Sequence, residues 1–215
     1  MRIGVFGGTF DPVHLGHLRL AESCQQQARL DETWFVPAYR QPHKPEGPAA
    51  SGADRAAMLR LATGGAPGQV VWTGEIERGG VSYTVDTLRE IAEREPGAEL
   101  FFLMGADSLA DLPHWREAWA ICELAVPLVV RRAGRPEPDF EALAGLVSPA
   151  RLAEFRAAQV EMPETPISSS EIRRLIAEGV AWQKLVPEAV AAYIEERGLY
   201  ARLEALRPPE KLEER

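Results

Sequence analysis

Short apolar runs alternate with segments of helical periodicity along most of the chain. Residues 1–6, 100–104 and 125–130 are apolar enough to form buried strands. From about Val13, apolar residues recur at three- and four-residue spacing, which predicts an amphipathic helix. Strands that alternate with helices indicate a parallel sheet covered on both faces. We therefore predict an α/β fold with a Rossmann-like, doubly wound parallel sheet.

Further elements follow the same alternation. We expect Asp54 to cap the second helix, and Ser82 or Thr84 to cap the next one. A last helix is predicted over residues 187–199. Weaker apolar runs predict three more strands, at residues 33–36, 70–72 and 159–162.

Nothing in the sequence divides the chain, since it has no internal repeat and no long low-complexity linker. A length of 215 residues suits one α/β domain, which we place at residues 1–200. Residues 201–215 contain two prolines and alternating charges, which predict a charged, solvated C-terminal tail. The sequence leaves the oligomeric state open, with a homo-oligomer as one option.

Composition narrows the classes of protein that fit. A hydrophobic content of 46% and a charged content of 26% are ordinary for a soluble protein. The apolar runs are too short to cross a membrane and the N-terminus lacks a signal-peptide layout, so we expect a cytoplasmic protein. A net charge of −8 argues against a nucleic-acid partner. Cys24 and Cys122 lie in apolar segments and are expected to be buried hydrophobes, not metal ligands.

The first predicted strand runs into a glycine-rich turn with two histidines. The sequence there is Gly7-Gly8-Thr9-Phe10-Asp11-Pro12-Val13-His14-Leu15-Gly16-His17. Paired glycines allow a sharp bend and a close approach of the backbone to a ligand. The helix start that follows offers free N–H groups and a positive dipole end, which suits phosphate. His14 and His17 are expected on one helix face, where imidazole donates hydrogen bonds when neutral and carries charge after a small pKa shift.

A second motif, Ile167-Ser168-Ser169-Ser170-Glu171-Ile172-Arg173, has the spacing of a helix start. Ser168 and Glu171 form a predicted capping box. Helical side chains lean towards the N-terminus, so Arg173 can reach back over the first turn. Serine hydroxyls, free N–H groups and a guanidinium are therefore expected to converge here, which capping alone does not require.

Weaker signals lie at the carboxyl ends of other predicted strands, where open α/β sheets bind ligands. A long loop over residues 37–52 carries His43 and Lys44, and a solvated basic loop would have the same composition. Gly105 and Asp107 form a glycine turn after residue 104. The Asp107 carboxylate can accept hydrogen bonds from ribose hydroxyls or cap the next helix.

The run from Gly7 to His17 resembles the (T/H)xGH signature of the nucleotidylyltransferase superfamily. Its extended form, with Gly-Thr-Phe-Asp-Pro before the histidines, is similar to that of bacterial nicotinate-mononucleotide adenylyltransferases. That family usually has Ile-Ser-Ser-Thr-x-Ile-Arg at the second motif, and Ser170 here replaces the threonine but keeps a hydroxyl. The resemblance covers about residues 1–200 and implies a fold of the nucleotidyltransferase type.

The resemblance implies that both motifs bind ATP and that His14, His17 and Arg173 are catalytic. The ATP-binding residues that it implies are Gly7, Gly8, Thr9, Phe10, His14, Gly16, His17, Gly105, Asp107, Ile167, Ser168, Ser169 and Arg173.

It also implies a site for a pyridine mononucleotide. In the family, a loop like that of His43 and Lys44 lies over the phosphate, and the counterparts of Thr84 and Trp115 lie beside and on the ring. From the residues alone, Thr84 is equally a helix cap and Trp115 a core residue. An arginine after residue 130 lies near the nucleotides in the family, and we carry over Arg132, although the sequence does not decide between it and Arg131.

The implied reaction is attack by the phosphate of nicotinate mononucleotide on the α-phosphorus of ATP, with Mg²⁺ bridging the ATP phosphates and no metal site in the protein. The products would be deamido-NAD and pyrophosphate, a step of NAD biosynthesis. Three alternatives stay open. The acceptor can be nicotinamide mononucleotide or phosphopantetheine, the chain can be a nucleotide-sensing module without turnover, or the two histidines can bind a metal.

Overall fold

The computed structural model describes residues 1–42, 46–132, 137–163 and 165–201, without the side chains of Asp107 and Arg132. The predicted acceptor residues His43 and Lys44 therefore lie outside the described residues, as do the side chains predicted at positions 107 and 132. The predicted tail is described only at Ala201.

A six-stranded parallel sheet forms the centre of the described structure, in the order β3-β2-β1-β4-β5-β6. This is the doubly wound arrangement that the alternation of strands and helices predicts, and the fold prediction is confirmed. The order reverses between β1 and β4, which lie side by side. The strands are β1 (Arg2–Gly8), β2 (Glu32–Pro37), β3 (Gln69–Val71), β4 (Glu99–Gly105), β5 (Ala125–Arg132) and β6 (Val160–Met162).

Helices cover both faces of the sheet, and one hydrophobic core extends from β1 to the last helix. None of the helices in the described ranges is long and apolar enough to cross a membrane. The helices are α1 (Leu15–Gln27), α2 (Gly52–Thr63), α3 (Gly74–Arg78), α4 (Thr84–Arg94), α5 (Ala106–Asp111), α6 (Ala118–Leu124), α7 (Pro149–Ala157), α8 (Ser169–Ala177) and α9 (Glu188–Arg197). Short 3₁₀ helices lie at Leu112–His114, Phe140–Leu143 and Gln183–Leu185.

The paired glycines do not make the turn after β1, contrary to the prediction. Gly7 and Gly8 continue the strand, and the chain turns at Phe10, whose φ is 51°. A Cβ on Gly8 would lie 2.9 Å from the Phe10 ring, so the glycine is needed for packing. The ring of Phe10 fills the space above the strand and sets where the turn begins.

Two predicted helix starts also differ from the structure. Ser51 is the N-cap of α2, because its hydroxyl accepts the N–H of Asp54, which lies inside the first turn. Neither Ser82 nor Thr84 caps α4, which begins after Tyr83 without a side-chain cap. The hydroxyl of Ser82 instead accepts the main-chain N–H of Tyr39 at 2.9 Å and ties the start of α4 to the loop after β2.

The serine cap predicted for α8 forms, but the reciprocal half of the predicted capping box does not. The Ser168 hydroxyl accepts the N–H of Glu171 at 3.2 Å, while the Glu171 carboxylate binds Arg174. The start of the helix is therefore determined by the local sequence. Its position fixes the point at which the Arg173 side chain projects from the helix.

Two leucines on helices offer a matched test of the core. Leu88 on α4 is fully buried, whereas Leu61 on α2 is 40% exposed. We expect Leu88→Ala to lower the free energy of unfolding by about 2–5 kcal/mol, because it removes buried methyl groups and leaves a cavity. Leu61→Ala should change it by much less, about 0.5 kcal/mol, since a large part of its side chain already contacts water. Urea unfolding of both variants measures the difference, and equal losses would contradict this packing.

Candidate active site

The two sequence motifs meet at the carboxyl end of β1, beside the end of β4 where the strand order reverses. Open α/β sheets bind ligands at this position. From α8, the Ser169 hydroxyl donates to the main-chain oxygen of Pro12 at 2.9 Å. The Arg173 guanidinium donates to the main-chain oxygen of Asp11 at 2.6 Å. Arg173 thus reaches back past the start of α8, as expected, and the start of α8 adjoins the start of α1.

The two histidines of the first motif stack on one another. Their ring centroids are 3.7 Å apart and the ring planes differ by 23°. The main-chain N–H of His14, the N-cap of α1, donates to Nδ1 of His17 at 3.2 Å. In neutral His17 the proton therefore lies on Nε2, which is left as a donor for a ligand. A Cβ on Gly16 would lie 3.0 Å from Nδ1 of His14, so glycine is needed for the ring to lie over the helix start.

Burial keeps this histidine pair neutral. It lowers the pKa of His14 from its ordinary value of 6.5 to about 4. Burial also lowers the pKa of His17 well below 6.5, and a charge on His14 would lower it further. In the protein alone both pKa values are thus lowered. A positive charge on the pair near neutral pH would require them to be raised. Before a ligand binds, the pair offers uncharged hydrogen-bonding groups near neutral pH.

Buried polar atoms without partners cluster at this corner. Within the described ranges, the buried side-chain atoms with no hydrogen bond are Thr9 Oγ1, His14 Nδ1 and Thr33 Oγ1. The first two lie in the motif between β1 and α1, and the third lies in β2. An unpaired buried polar group costs about 1–3 kcal/mol, so the first two atoms make the motif locally unfavourable in the absence of a ligand.

The other residues predicted to bind ATP differ in what they can offer. The Phe10 side chain is only 1% exposed and packs edge-on against His17, so a direct ligand contact by the ring is excluded and only its main chain can take part. At Gly105 a Cβ would meet no protein atom within 4 Å, so the space beside the end of β4 is open. Ile167 packs against the core next to the Ser168 cap.

Two of the predicted acceptor residues, Thr84 and Trp115, lie at the start of α4 and in the segment after α5. Thr84 is the first residue of α4 and is half-buried. Trp115 is half-buried and packs edge-on against Phe102, with ring centroids 5.9 Å apart. Arg131 is paired with Glu161 at the edge of the sheet, and is therefore engaged away from this corner.

Sequence reasoning missed three buried charged residues near the site. Arg55 of α2 is 1% exposed and donates to the main-chain oxygen of Thr9 at 2.8 Å. Glu75 of α3 accepts the Thr87 hydroxyl, and burial raises the pKa of its carboxyl group. Asp11 is 3% exposed, and its carboxylate binds main-chain N–H groups of the loop after β2. The sequence carried no signal for Arg55 or Glu75, because each is defined by partners distant along the chain.

Comparisons with known proteins fit this geometry. The family model described as cytidylyltransferase-like matches residues 5–175. A probable nicotinate-nucleotide adenylyltransferase from Rhodopirellula baltica is 40% identical over 198 residues, covering 92% of each chain. One of the same name from Thermus thermophilus is 43% identical over 201 residues, covering 93% of this chain and all of the relative.

The fold is shared with a more distant solved structure. The nicotinic acid mononucleotide adenylyltransferase of Plasmodium falciparum, complexed with NaAD, superposes with a TM-score of 0.68. It is 17% identical, and the match covers 93% of this chain and 97% of that one. At a sequence identity of 17%, this similarity shows a shared fold and nothing more specific.

The low pKa of His14 makes a prediction about stability. An unfolded histidine binds a proton below about pH 6.5, whereas folded His14 resists until about pH 4, so stability falls as the pH drops through this window. From pH 7 to pH 5, wild type should lose about 2 kcal/mol more than His14→Gln. Urea unfolding at both pH values measures this difference. His114→Gln, at an exposed position, is the matched control and should follow wild type.

Proposed function

We propose that this chain, which belongs to the nicotinate-nucleotide adenylyltransferases within the cytidylyltransferase-like family, transfers the adenylyl group of ATP to nicotinate mononucleotide. The products are deamido-NAD and pyrophosphate, a step of NAD biosynthesis. The observation that carries the residue assignment is the stacked pair of His14 and His17 beside Arg173, at the strand end where the sheet order reverses.

The chemistry needs no general base. A phosphate monoester has a second pKa of about 6, so the attacking phosphate is already largely ionised near neutral pH. The protein has to bring that phosphate to the α-phosphorus of ATP and stabilise the charge that develops on the triphosphate. Hydrogen-bond donors in a fixed arrangement supply both.

The corner after β1 supplies such donors. Nε2 of His17 is free to donate, because its Nδ1 accepts the main-chain N–H of His14. Arg173 adds the only formal positive charge in this set, and the N-terminus of α1 adds free N–H groups. We assign His14, His17 and Arg173 to the triphosphate. Bound phosphate favours the protonated form of an adjacent imidazole, which opposes the downward pKa shift of the empty site.

A divalent metal is generally used by nucleotidyltransferases, and we propose Mg²⁺. In the part of the chain that the structure describes, no group of three His, Cys, Asp or Glu side chains could hold a metal ion. Mg²⁺ prefers oxygen ligands, retains several waters and is commonly held by substrate phosphates. The residues present therefore fit a cation bound by the ATP phosphates, where it neutralises phosphate charge.

The acceptor site lies between the loop after β2 and the start of α4. Ser82 joins these segments, because its main-chain N–H donates to the main-chain oxygen of Arg40 and its hydroxyl accepts the N–H of Tyr39. We assign His43 and Lys44 to the acceptor phosphate, Thr84 and Trp115 to the pyridine ring, and Arg132 to substrate binding near the nucleotides.

Acceptor choice is tested by pyrophosphate release from ATP and Mg²⁺ with three acceptors in parallel. We expect nicotinate mononucleotide to exceed nicotinamide mononucleotide and phosphopantetheine by at least about tenfold in kcat/KM, since a site with fixed hydrogen-bond donors rejects analogues that leave them unpaired. Preference for another acceptor would retain adenylyl transfer and overturn the acceptor assignment. Silence with all three, despite ATP binding, would support a nucleotide-sensing module.

The assignment of the triphosphate site is tested with two neighbouring arginines. Arg173→Ala and His17→Ala should each lower kcat/KM by about 100-fold or more, because each removes a donor to developing charge. Arg174→Ala is the matched control. Its guanidinium binds Glu171 and Glu178 on the exposed side of α8, where ion pairs contribute little. Near-normal activity of His17→Ala, or equal losses at both arginines, would show that the assignment is wrong.

A further inference from the structure

The segment after α9 returns to the candidate active site. After α9, Gly198 and Tyr200 both adopt left-handed backbone conformations, with φ values of 60° and 66°. Residues other than glycine rarely adopt this backbone conformation, so contacts with the rest of the protein must hold Tyr200 in it. The strongest such contact is its hydroxyl, which donates to Oδ1 of Asp11 at 2.8 Å, 189 residues away in the sequence.

The Asp11 carboxylate joins three segments of the protein. Besides the Tyr200 hydroxyl, Oδ1 accepts the main-chain N–H of Ala50 at 3.0 Å. Oδ2 accepts the main-chain N–H of Ala49 at 2.7 Å. The turn after β1, the end of the loop after β2 and the segment after α9 are therefore held by one buried side chain.

Arg173 lies next to this carboxylate but is not fully paired with it. Nη1 of Arg173 donates to the main-chain oxygen of Asp11, and it lies 3.8 Å from Oδ2, which is long for an ion pair. The three donors to Asp11 occupy three of the roughly four lone-pair positions of the carboxylate, which weakens its attraction for the guanidinium. Burial and the neighbouring Asp11 raise the pKa of the Tyr200 phenol, so its hydroxyl keeps its proton and remains a donor.

We propose that Tyr200 is a positioning residue for ATP. Its hydroxyl holds the Asp11 carboxylate in an orientation that leaves the Arg173 guanidinium available to the triphosphate. Without that hydroxyl, Oδ1 loses a donor, and the carboxylate is free to turn and form a close ion pair with Arg173, which then competes with ATP. This role rests on the proposed function only in the choice of ATP as the ligand of Arg173.

The conservative change Tyr200→Phe removes one hydroxyl and keeps the ring. Loss of a hydrogen bond to a charged group should weaken binding of a non-hydrolysable ATP analogue by about five- to tenfold, and raise KM for ATP by the same factor. The KM for the acceptor should stay within about twofold, because the loss acts through Arg173.

Tyr193→Phe is the matched control, because the Tyr193 hydroxyl also donates to a carboxylate, that of Asp54 on α2, at 2.9 Å. It should leave ATP binding and turnover unchanged. Thermal unfolding of both variants separates a general loss of stability from the specific effect on ATP.

A double-mutant cycle shows whether Tyr200 acts through Arg173. In an Arg173→Ala background, which removes the cation, Tyr200→Phe should change ATP-analogue binding by less than about twofold, whereas independent sites would give the full factor. Additive effects, unchanged ATP binding in Tyr200→Phe, or equal effects of the two tyrosine variants would overturn the proposal.

The binding measurement also separates this inference from the proposed function. If wild type binds the ATP analogue but transfers no adenylyl group, the function fails while the cycle still decides the role of Tyr200. If wild type does not bind the analogue, both fail.

Discussion

The arrangement of the site depends on three hydrogen bonds to the turn between β1 and α1. In each of them a main-chain oxygen of the turn accepts from a side chain that is distant in the sequence. The donors come from α2 and α8: Arg55, Ser169 and Arg173. A turn of this kind would otherwise leave carbonyl groups to water or buried without partners. Because side-chain donors bind them, the turn is rigid before a ligand arrives, and its N–H groups and histidine rings are already in place.

Rigidity here is combined with polar groups that the protein leaves unsatisfied. Thr9 Oγ1 and His14 Nδ1 are buried without partners, and burial disfavours the charged forms of both histidines. These features lower the stability of the empty protein. In the proposed complex, the negative charge of a polyphosphate would favour the protonated histidines and offset part of this loss. Active sites commonly combine a rigid frame with such locally unfavourable groups.

Local pattern was enough for the strands and for the start of α8, because apolar runs and a serine cap act within a few residues. The same reasoning placed the α2 cap at Asp54, since the sequence does not show that Ser51 precedes it in an extended conformation. It missed α3, which has five residues and no helical period. The histidine pair was found from its motif, but the direction of its pKa shift depends on burial by side chains from other elements. Asp11 stood inside a quoted motif without a role, because its partners are brought to it only by the fold.

The contact between Asp11 and Tyr200 joins the first turn made during synthesis to almost the last described residue. A chain that stops before residue 200 still contains every strand of the described sheet and every residue of both sequence motifs. It lacks the hydroxyl that binds Asp11 from the segment after α9. Cutting the chain there would therefore loosen the corner after β1 while the sheet and its core stay in place.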